Sequence, residues 1–359
     1  MSYVSMGMMD GDKQTNDTKV AVVGAGRMGR HHARNYRQIP HCRLIAVVDG
    51  DPARAQAAAQ EFGCRAYGTA AELLASAERP DAVSIAVPTI YHRSVAEEFL
   101  AGGVHILVEK PLASTPQDAC AIVELARHRG CVLQVGHSER FNPVVRALNS
   151  YQLHPQFLEV HRISPMTFRS IDVGVVLDMM IHDIDIVHHF VRSPVQSVAA
   201  VGVSVIGRCE DVANARLVFA NGCVANLTAS RLAMKTERRM RLFSPDAYVS
   251  VDYQKKSGVV IQRRANATEL GKIREKVLAG QIADLSDLNY PDLVNYDQLA
   301  VDDREPLRVE LESFLHAIRN ASTPEVTGED GCVAVEVATR IMESIADHQR
   351  HLRPGSTFP

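Results

Sequence analysis

The chain has 359 residues, 39 Lys and Arg against 42 Asp and Glu, a formal net charge of -3 and 46% hydrophobic residues. That length exceeds what one core sustains and predicts two domains, while the near-balanced charge excludes the basic footprint of a nucleic-acid binder. The seven cysteines (Cys42, Cys64, Cys120, Cys131, Cys209, Cys223, Cys332) form no C-x-x-C pair, and their odd number argues for reduced, cytoplasmic thiols instead of a disulfide framework. Residues 1–17 read as a flexible polar leader, and no stretch approaches a membrane span.

Residues 18–140 alternate β-branched runs with alanine-rich stretches. Lys19–Val23, Leu44–Val48, Ala82–Ala86, Ile106–Val108 and Val132–Val135 read as strands separated by helices. This alternation predicts right-handed βαβ units and an α/β, doubly wound parallel sheet. From residue 141 to the end an α+β domain is expected. Its period-two runs, Phe157–Ile163, Ser197–Ile206, Ala213–Phe219, Cys223–Ala229 and Tyr248–Val251, predict an open, mainly antiparallel sheet suited to substrate binding and oligomerisation. Residues 263–305 are charged and broken by Asn289, Tyr290 and Pro291, which reads as a long excursion near the site or at an oligomer contact. Leu307–Ala321 and Gly331–His348 show helical spacing and are candidates to pack back on the first domain.

Directly after the first strand stands V-V-G-A-G-R-M-G. Gly24 permits a tight turn, Gly26 lets the backbone approach a pyrophosphate, and Gly29 lets helix and strand pack closely. With Arg27 and Met28 these glycines open a helix whose N-terminus attracts negative charge. The second strand ends in V-V-D, which places Asp49 to bond ribose hydroxyls and repel a 2′-phosphate. The combination predicts a Rossmann domain that binds NAD in preference to NADP. The next strand end, I-A-V-P-T-I-Y-H, contributes Pro88, Thr89 and His92 to the cofactor edge, with His92 also reading as the start of a helix. One strand further, V-E-K-P adds Glu109 and Lys110 to the same cofactor edge. A lysine at the end of a buried strand needs a polar or negative partner.

In order, V-G-A-G-R-M-G, A-V-P-T, V-E-K-P, G-H-S-E-R-F-N-P and L-D-M-M-I-H-D-I-D resemble the glucose-fructose oxidoreductase, inositol dehydrogenase and MocA family over Lys19–His189. The resemblance implies an NAD-dependent sugar dehydrogenase whose catalytic residues are Lys110, Asp178 and His182. It also implies a cis peptide before Pro111 that aims Lys110 into the cleft. The residues agree: a spacing of four places Asp178 and His182 on one helix face, and a histidine suits the removal of a hydroxyl proton. Lys110 can stabilise a developing alkoxide, and Asp178 can orient substrate or His182. Taken singly, Asp178 also reads as a helix cap and His182 as a core group. Asp183 and Asp185 read as surface or helix-supporting charges, and His188 and His189 as residues outside the site. No zinc-type histidine pair is present and no metal is expected.

The segment Q-V-G-H-S-E-R-F-N-P brings His137, Glu139, Arg140 and Asn142 to the domain junction as candidate substrate contacts; a Glu139–Arg140 hinge pair is the other reading. Arg162, Ser164, Arg169 and Ser170 lie on the path towards Asp178, and Arg169 is the preferred diphosphate ligand, although it also reads as an ordinary loop charge. G-H-x-E-R-F-N-P followed by D-V-G-V-V-L-D-x-M-I-H-D-I-D resembles the nucleotide-sugar branch of the family. That branch implies oxidation of the 3-hydroxyl of UDP-N-acetylglucosamine, a pyridoxal-phosphate aminotransferase acting next in amino-sugar synthesis of the lipid A type, and a homodimer or homotetramer. Another nucleotide sugar, inositol or a polyol is the alternative substrate. A regulator that binds NAD without turnover is the alternative class, disfavoured by the intact Lys110, Asp178 and His182 set.

Overall fold

The structure is a computed structural model that describes residues 17–167, 172–282, 284 and 293–352. The leader up to residue 16, Arg169, Ser170 and the Asn289–Pro291 interruption lie outside the described residues.

Six strands, β1 (Thr18–Val23), β2 (Cys42–Val48), β3 (Arg65–Tyr67), β4 (Ala82–Ile85), β5 (His105–Glu109) and β6 (Leu133–Gly136), run parallel in the order β3-β2-β1-β4-β5-β6. Helices α1 (Arg27–Tyr36), α2 (Pro52–Phe62), α3 (Ala70–Ala75), α4 (His92–Ala101) and α5 (Pro116–Arg129) connect them. Val20, Val22, Ile85, Ile106 and Val108 are fully buried because helices cover both faces of the sheet, which is why these strands read as continuous apolar runs. Asp51 and Thr115 cap α2 and α5, each followed by a proline in the first turn. The strand order reverses between β1 and β4. In such sheets the crevice beyond the carboxyl ends at that point receives the ligand.

A 3-10 turn (Ser138–Phe141) and α6 (Pro143–Leu148) lead into the second sheet, which begins with β7 (Phe157–Ile163). A π-helical turn, Val176–Met180, then runs directly into α7 (Ile181–Val191). The sheet is completed by β8 (Val195–Val203), β9 (Val212–Phe219), β10 (Val224–Ser230), β11 (Glu237–Phe243), β12 (Ala247–Asp252), β13 (Ser257–Arg263) and, after α8 (Ala267–Leu278), β14 (Val294–Gln298). Its order is β14-β13-β12-β11-β7-β10-β9-β8, antiparallel throughout except for the β7–β10 pair. The open, mainly antiparallel sheet read from the sequence is therefore present.

Three of its strands escape a period-two reading. In β11 only Met240 and Leu242 are buried, and the other residues of E-R-R-M-R-L-F are at least half-exposed. β14 is the edge strand and β13 lies next to it. The 263–305 segment is correspondingly less irregular than its composition suggests, since it contains α8, with an Asn266–Glu269 capping box, and β14.

Two C-terminal helices, α9 (Pro306–Arg319) and α10 (Gly328–Leu352), return to the first domain. Leu307, Leu311, Phe314 and Leu315 of α9 share one core with Val20, Val22, Ala33 and Tyr36. α10 packs on α5 as well as on β8 and α7. At Gly331 a Cβ would lie 2.7 Å from a Val135 methyl, so this helix approaches β6 more closely than a side chain permits.

α9 also buries Glu310 completely, with neither carboxyl oxygen hydrogen-bonded among the described residues. Burial, reinforced by repulsion from Glu109 and Asp185, pushes its pKa well above the usual carboxylate range. The unfolded chain loses this proton near its ordinary pKa of about 4.3, whereas the folded chain keeps it, so the group opposes folding increasingly above that pH. Glu310→Gln is predicted to raise the melting temperature at pH 8, with the gain fading towards pH 4. Thermal melts of both proteins across that range provide the measurement.

Candidate active site

At the end of β1, Gly24 has φ +96°, and a Cβ there would come 2.6 Å from the Ala86 carbonyl oxygen. Gly26, at the N-cap of α1, has nothing within 4 Å of the position a Cβ would take. α1 has no capping side chain and no acid in its first turn, which leaves its leading amides for an anion. Arg27 and Met28 are exposed there, and Gly29 packs against the Gly24 carbonyl. At the end of β2, Asp49 Oδ2 accepts from the Ala25 amide at 2.8 Å. Its Oδ1 accepts from the Asp51 amide at 2.9 Å and from Arg54 at 3.1 Å. An open approach at Gly26, a bare helix N-terminus and a fixed carboxylate fit the pyrophosphate and ribose of NAD.

Beyond β4, Pro88 is exposed and Thr89 half-buried on the same side of the sheet. His92 and Glu109, expected on this edge, are turned inward instead. The His92 ring is sealed, with its nitrogens 2.9 and 3.0 Å from the carbonyl oxygens of Pro111 and Val87. Burial lowers its pKa, opposed by the hydrogen bonds to those carbonyls. The ring ties the loop after β4 to the loop after β5. Glu109 is buried against His32 of α1 at 2.8 Å. Burial alone would raise its carboxyl, but the hydrogen bond and charge of His32, followed by the charge of Lys110, hold it below the usual range.

The peptide between Lys110 and Pro111 is cis. Lys110 Nζ donates to the Asp178 carbonyl oxygen at 2.7 Å and lies 3.5 Å from Asp178 Oδ1. This contact joins the end of β5 to the π-turn, and π-turns recur at functional sites. Lys110, Asp178 and His182 line one cavity of about 500 Å³ with Ser138, Glu139, Ser164 and Arg238. The buried nitrogen of His182 is Nδ1, which has no partner among the described residues. Burial, then the positive charges of Lys110 and Arg162, push the His182 pKa well below its ordinary value. The ring is neutral at pH 7 and able to accept a proton.

The G-H-S-E-R-F-N-P residues divide among different tasks. Glu139 lines the cavity, forms an ion pair with Arg162 at 3.4 Å and accepts from Arg238 at 3.5 Å. His137 is completely buried, with its ring edge-on to His182 at 6.4 Å between centroids, so it does not open onto the cavity. Arg140 turns away into a separate hollow beside His188 and His189. There it grips Asp185 with two nitrogens at 2.9 and 2.5 Å, and a third donates to His189 Nδ1 at 2.9 Å. Glu139 and Arg140 therefore pair with different partners and not with each other. Asn142 caps α6 through the Val144 amide and donates to the Tyr253 carbonyl, so it serves the fold. Arg162 is held by both oxygens of Asp183 at 2.9 and 2.8 Å and is nearly fully buried. Asp183 and Asp185 are each 2% exposed, which excludes the surface reading and leaves the helix-supporting one. α7 is covered on both of these faces, and a buried carboxylate requires a partner.

Arg238 is a charged lining residue that sequence reading missed. It faces Arg162 in register across β11 and β7, and its side chain keeps 42% exposure. The available signal was its period-two relation to the buried Met240 and Leu242, obscured by the other charges of the strand.

This fold, with its glycine turn and its lysine–histidine cavity at the strand ends, defines a dinucleotide-dependent dehydrogenase that acts on a CH–OH group. The chain belongs to the GFO/IDH/MocA oxidoreductase family: the model described as "Oxidoreductase family, NAD-binding Rossmann fold" matches residues 18–137, and the "GFO/IDH/MocA C-terminal domain" matches residues 149–249. Its cofactor is NAD. It is 35% identical over 302 residues to the UDP-N-acetylglucosamine 3-dehydrogenase of Acidithiobacillus ferrooxidans, covering 84% of this chain and 88% of that one. A solved structure of that enzyme superposes with a TM-score of 0.80 at 32% identity, covering 92% of this chain and 98% of the other. The inositol 2-dehydrogenase of Rhizobium meliloti is 24% identical over 92% of this chain and 98% of its own length. Among the described residues no helix is long and apolar enough to cross a membrane.

Asp49→Ala is predicted to weaken NAD binding by about 10–100-fold and to narrow the preference for NAD over NADP, since a charged hydrogen-bond acceptor is lost. Fluorescence titration with both dinucleotides measures this, and an unchanged NAD affinity would reject the ribose role.

Proposed function

We propose that this chain oxidises the 3-hydroxyl of UDP-N-acetylglucosamine to the 3-ketone in the cytoplasm, ahead of a pyridoxal-phosphate aminotransferase that consumes the ketone in amino-sugar synthesis. The observation that carries the reading is the cavity in which Lys110, Asp178 and a neutral His182 stand together with Arg238. The 35% identity to an enzyme of that name supports the choice of sugar.

Gly24, Gly26, Arg27, Met28, Gly29 and Asp49 would hold the cofactor, with Pro88 and Thr89 along its nicotinamide half. When bound, NAD supplies the hydride acceptor. His182 takes the hydroxyl proton as the carbon–hydrogen bond breaks. Lys110, anchored on the Asp178 carbonyl at 2.7 Å, offers its remaining N–H groups and charge to the oxygen as it turns negative. The Asp178 side chain orients the sugar ring. Arg238 offers its half-exposed guanidinium to the diphosphate, because the neighbouring Arg162 is already committed to Asp183. That cation favours a phosphate-bearing substrate over inositol or a free polyol. On the outer face of the second sheet, Phe157, Phe243 and Tyr248 form an aromatic cluster with centroids 5.6 and 5.2 Å apart, which supports a homodimer or homotetramer through that face.

Mixing the protein with NAD and UDP-N-acetylglucosamine should yield NADH, more of it when a 3-aminotransferase and an amino donor remove the ketone. No NADH under those conditions would exclude this sugar. His182→Ala should lower kcat by about 10²–10⁴-fold and leave NAD affinity unchanged. With its proton acceptor already neutral, the wild-type kcat/KM for oxidation should stay level through pH 6.5 and fall only at more acidic pH. A titration centred near pH 6.5 would contradict the depressed His182 pKa. Arg238→Ala should raise KM for the nucleotide sugar by about tenfold or more with kcat little changed, read from initial rates.

A further inference from the structure

Away from the cleft, one pair of side chains is poised to react with each other. Cys120, in the second turn of α5, and Cys332, near the start of α10, are 212 positions apart, yet their Sγ atoms stand 3.1 Å from each other. That is about 1 Å beyond a disulfide bond length, a gap that small side-chain rotations can close. The helices carrying them are packed together. The approach is enforced next door, where Gly331 lies so close to β6 that a Cβ would come within 2.7 Å of Val135.

The two sulfurs differ in environment. Cys120 is exposed and Cys332 is half-buried. Burial, then the adjacent Cys120 and the acids Glu329 and Glu336, push the Cys332 thiol up to about 12. Cys120 is therefore the thiol that a dissolved oxidant reaches, and Cys332 is the one beside it that resolves the product. Occupation of Cys120 by an oxygen removes part of what holds the Cys332 proton.

We propose that Cys120 and Cys332 form a reversible redox staple, closed by hydrogen peroxide, that ties the NAD-binding domain to the C-terminal helix. The Cys120 thiolate attacks one peroxide oxygen; the O–O bond breaks, and water leaves after protonation, giving the sulfenic acid. Cys332 sulfur then displaces that hydroxyl as a second water and forms the S–S bond. Two electrons pass from the thiols to the peroxide, and both thiol protons end in water. A dithiol reductant reverses the change. Because α10 also packs on α7 and β8, the bond fastens α5 to the helix that backs the His182 helix. It closes a loop of more than 200 residues and so restricts the unfolded chain strongly.

The full chain with NAD bound would be treated with hydrogen peroxide, alkylated and analysed by intact mass and peptide mapping. Two fewer alkylated cysteines, a Cys120–Cys332 cross-linked peptide and a melting temperature higher by about 5 °C that dithiothreitol reverses are expected. Cys120→Ser and Cys332→Ser should each abolish the cross-link and the shift while melting like the reduced wild type. The proposal is overturned if Cys120 stops at the sulfenic or sulfinic acid, if other cysteines pair, or if the cross-link forms and the melting temperature does not move.

Discussion

The position of α7 is held by two buried arginine–aspartate pairs, and the site depends on that helix staying where it is. Arg162 reaches from β7 to Asp183, and Arg140 reaches from the 3-10 turn after β6 to Asp185. The first grips the helix from the second sheet and the second from the edge of the first. His182 lies one residue before the nearer anchor, so its ring is positioned by contacts on both sides of the domain junction. Removing one partner from such a pair strands the other charge in the interior and costs about 3–5 kcal/mol. The bidentate geometry also resists rotation of the helix about its axis, which a single hydrogen bond does not.

The same pairs set the electrostatics of the cavity. Arg162 and Arg238 stand opposite each other across adjacent strands, an arrangement that repels unless an acid intervenes. Glu139 lies within 3.5 Å of both, and Asp183 satisfies Arg162 from the other side. Each of these cations therefore has an acid beside it, Asp178 for Lys110, Asp183 for Arg162 and Glu139 for Arg238. Burial first, then the charges of Lys110 and Arg162, keep His182 neutral.

Much of the fold was legible because both sheets obey simple periodicities. The parallel strands β1, β2, β4, β5 and β6 are covered on two faces and read as apolar runs, and β7, β9, β10 and β12 alternate. β3 was missed because it has three residues, and β11 because its outward charges and the inward Arg238 mask Met240 and Leu242. In the site, the motifs led to Lys110, Asp178 and His182, which meet at one cavity. They did not reveal direction. The side chains of His92, Glu109, Arg140 and Asn142 turn into the protein to meet carbonyls, charges and helix ends, and His137 is buried with neither ring nitrogen partnered among the described residues. For Asp183 and Asp185 the sequence left surface and helix-supporting readings open because their arginine partners are distant: Arg162 lies 21 residues away and Arg140 lies 45.

The return of α9 onto α1 has a consequence for how the protein is made. Val20, Val22 and Tyr36 leave the ribosome long before the Leu311, Phe314 and Leu315 side chains that share their core. Until α9 has emerged, the nucleotide-binding half presents an uncovered apolar face. A fragment ending near residue 140 carries the complete glycine turn and Asp49 but retains that bare face, so the dinucleotide fold here is not a detachable module. Its completion waits for the far end of the polypeptide, and the two halves are bound into one folding unit.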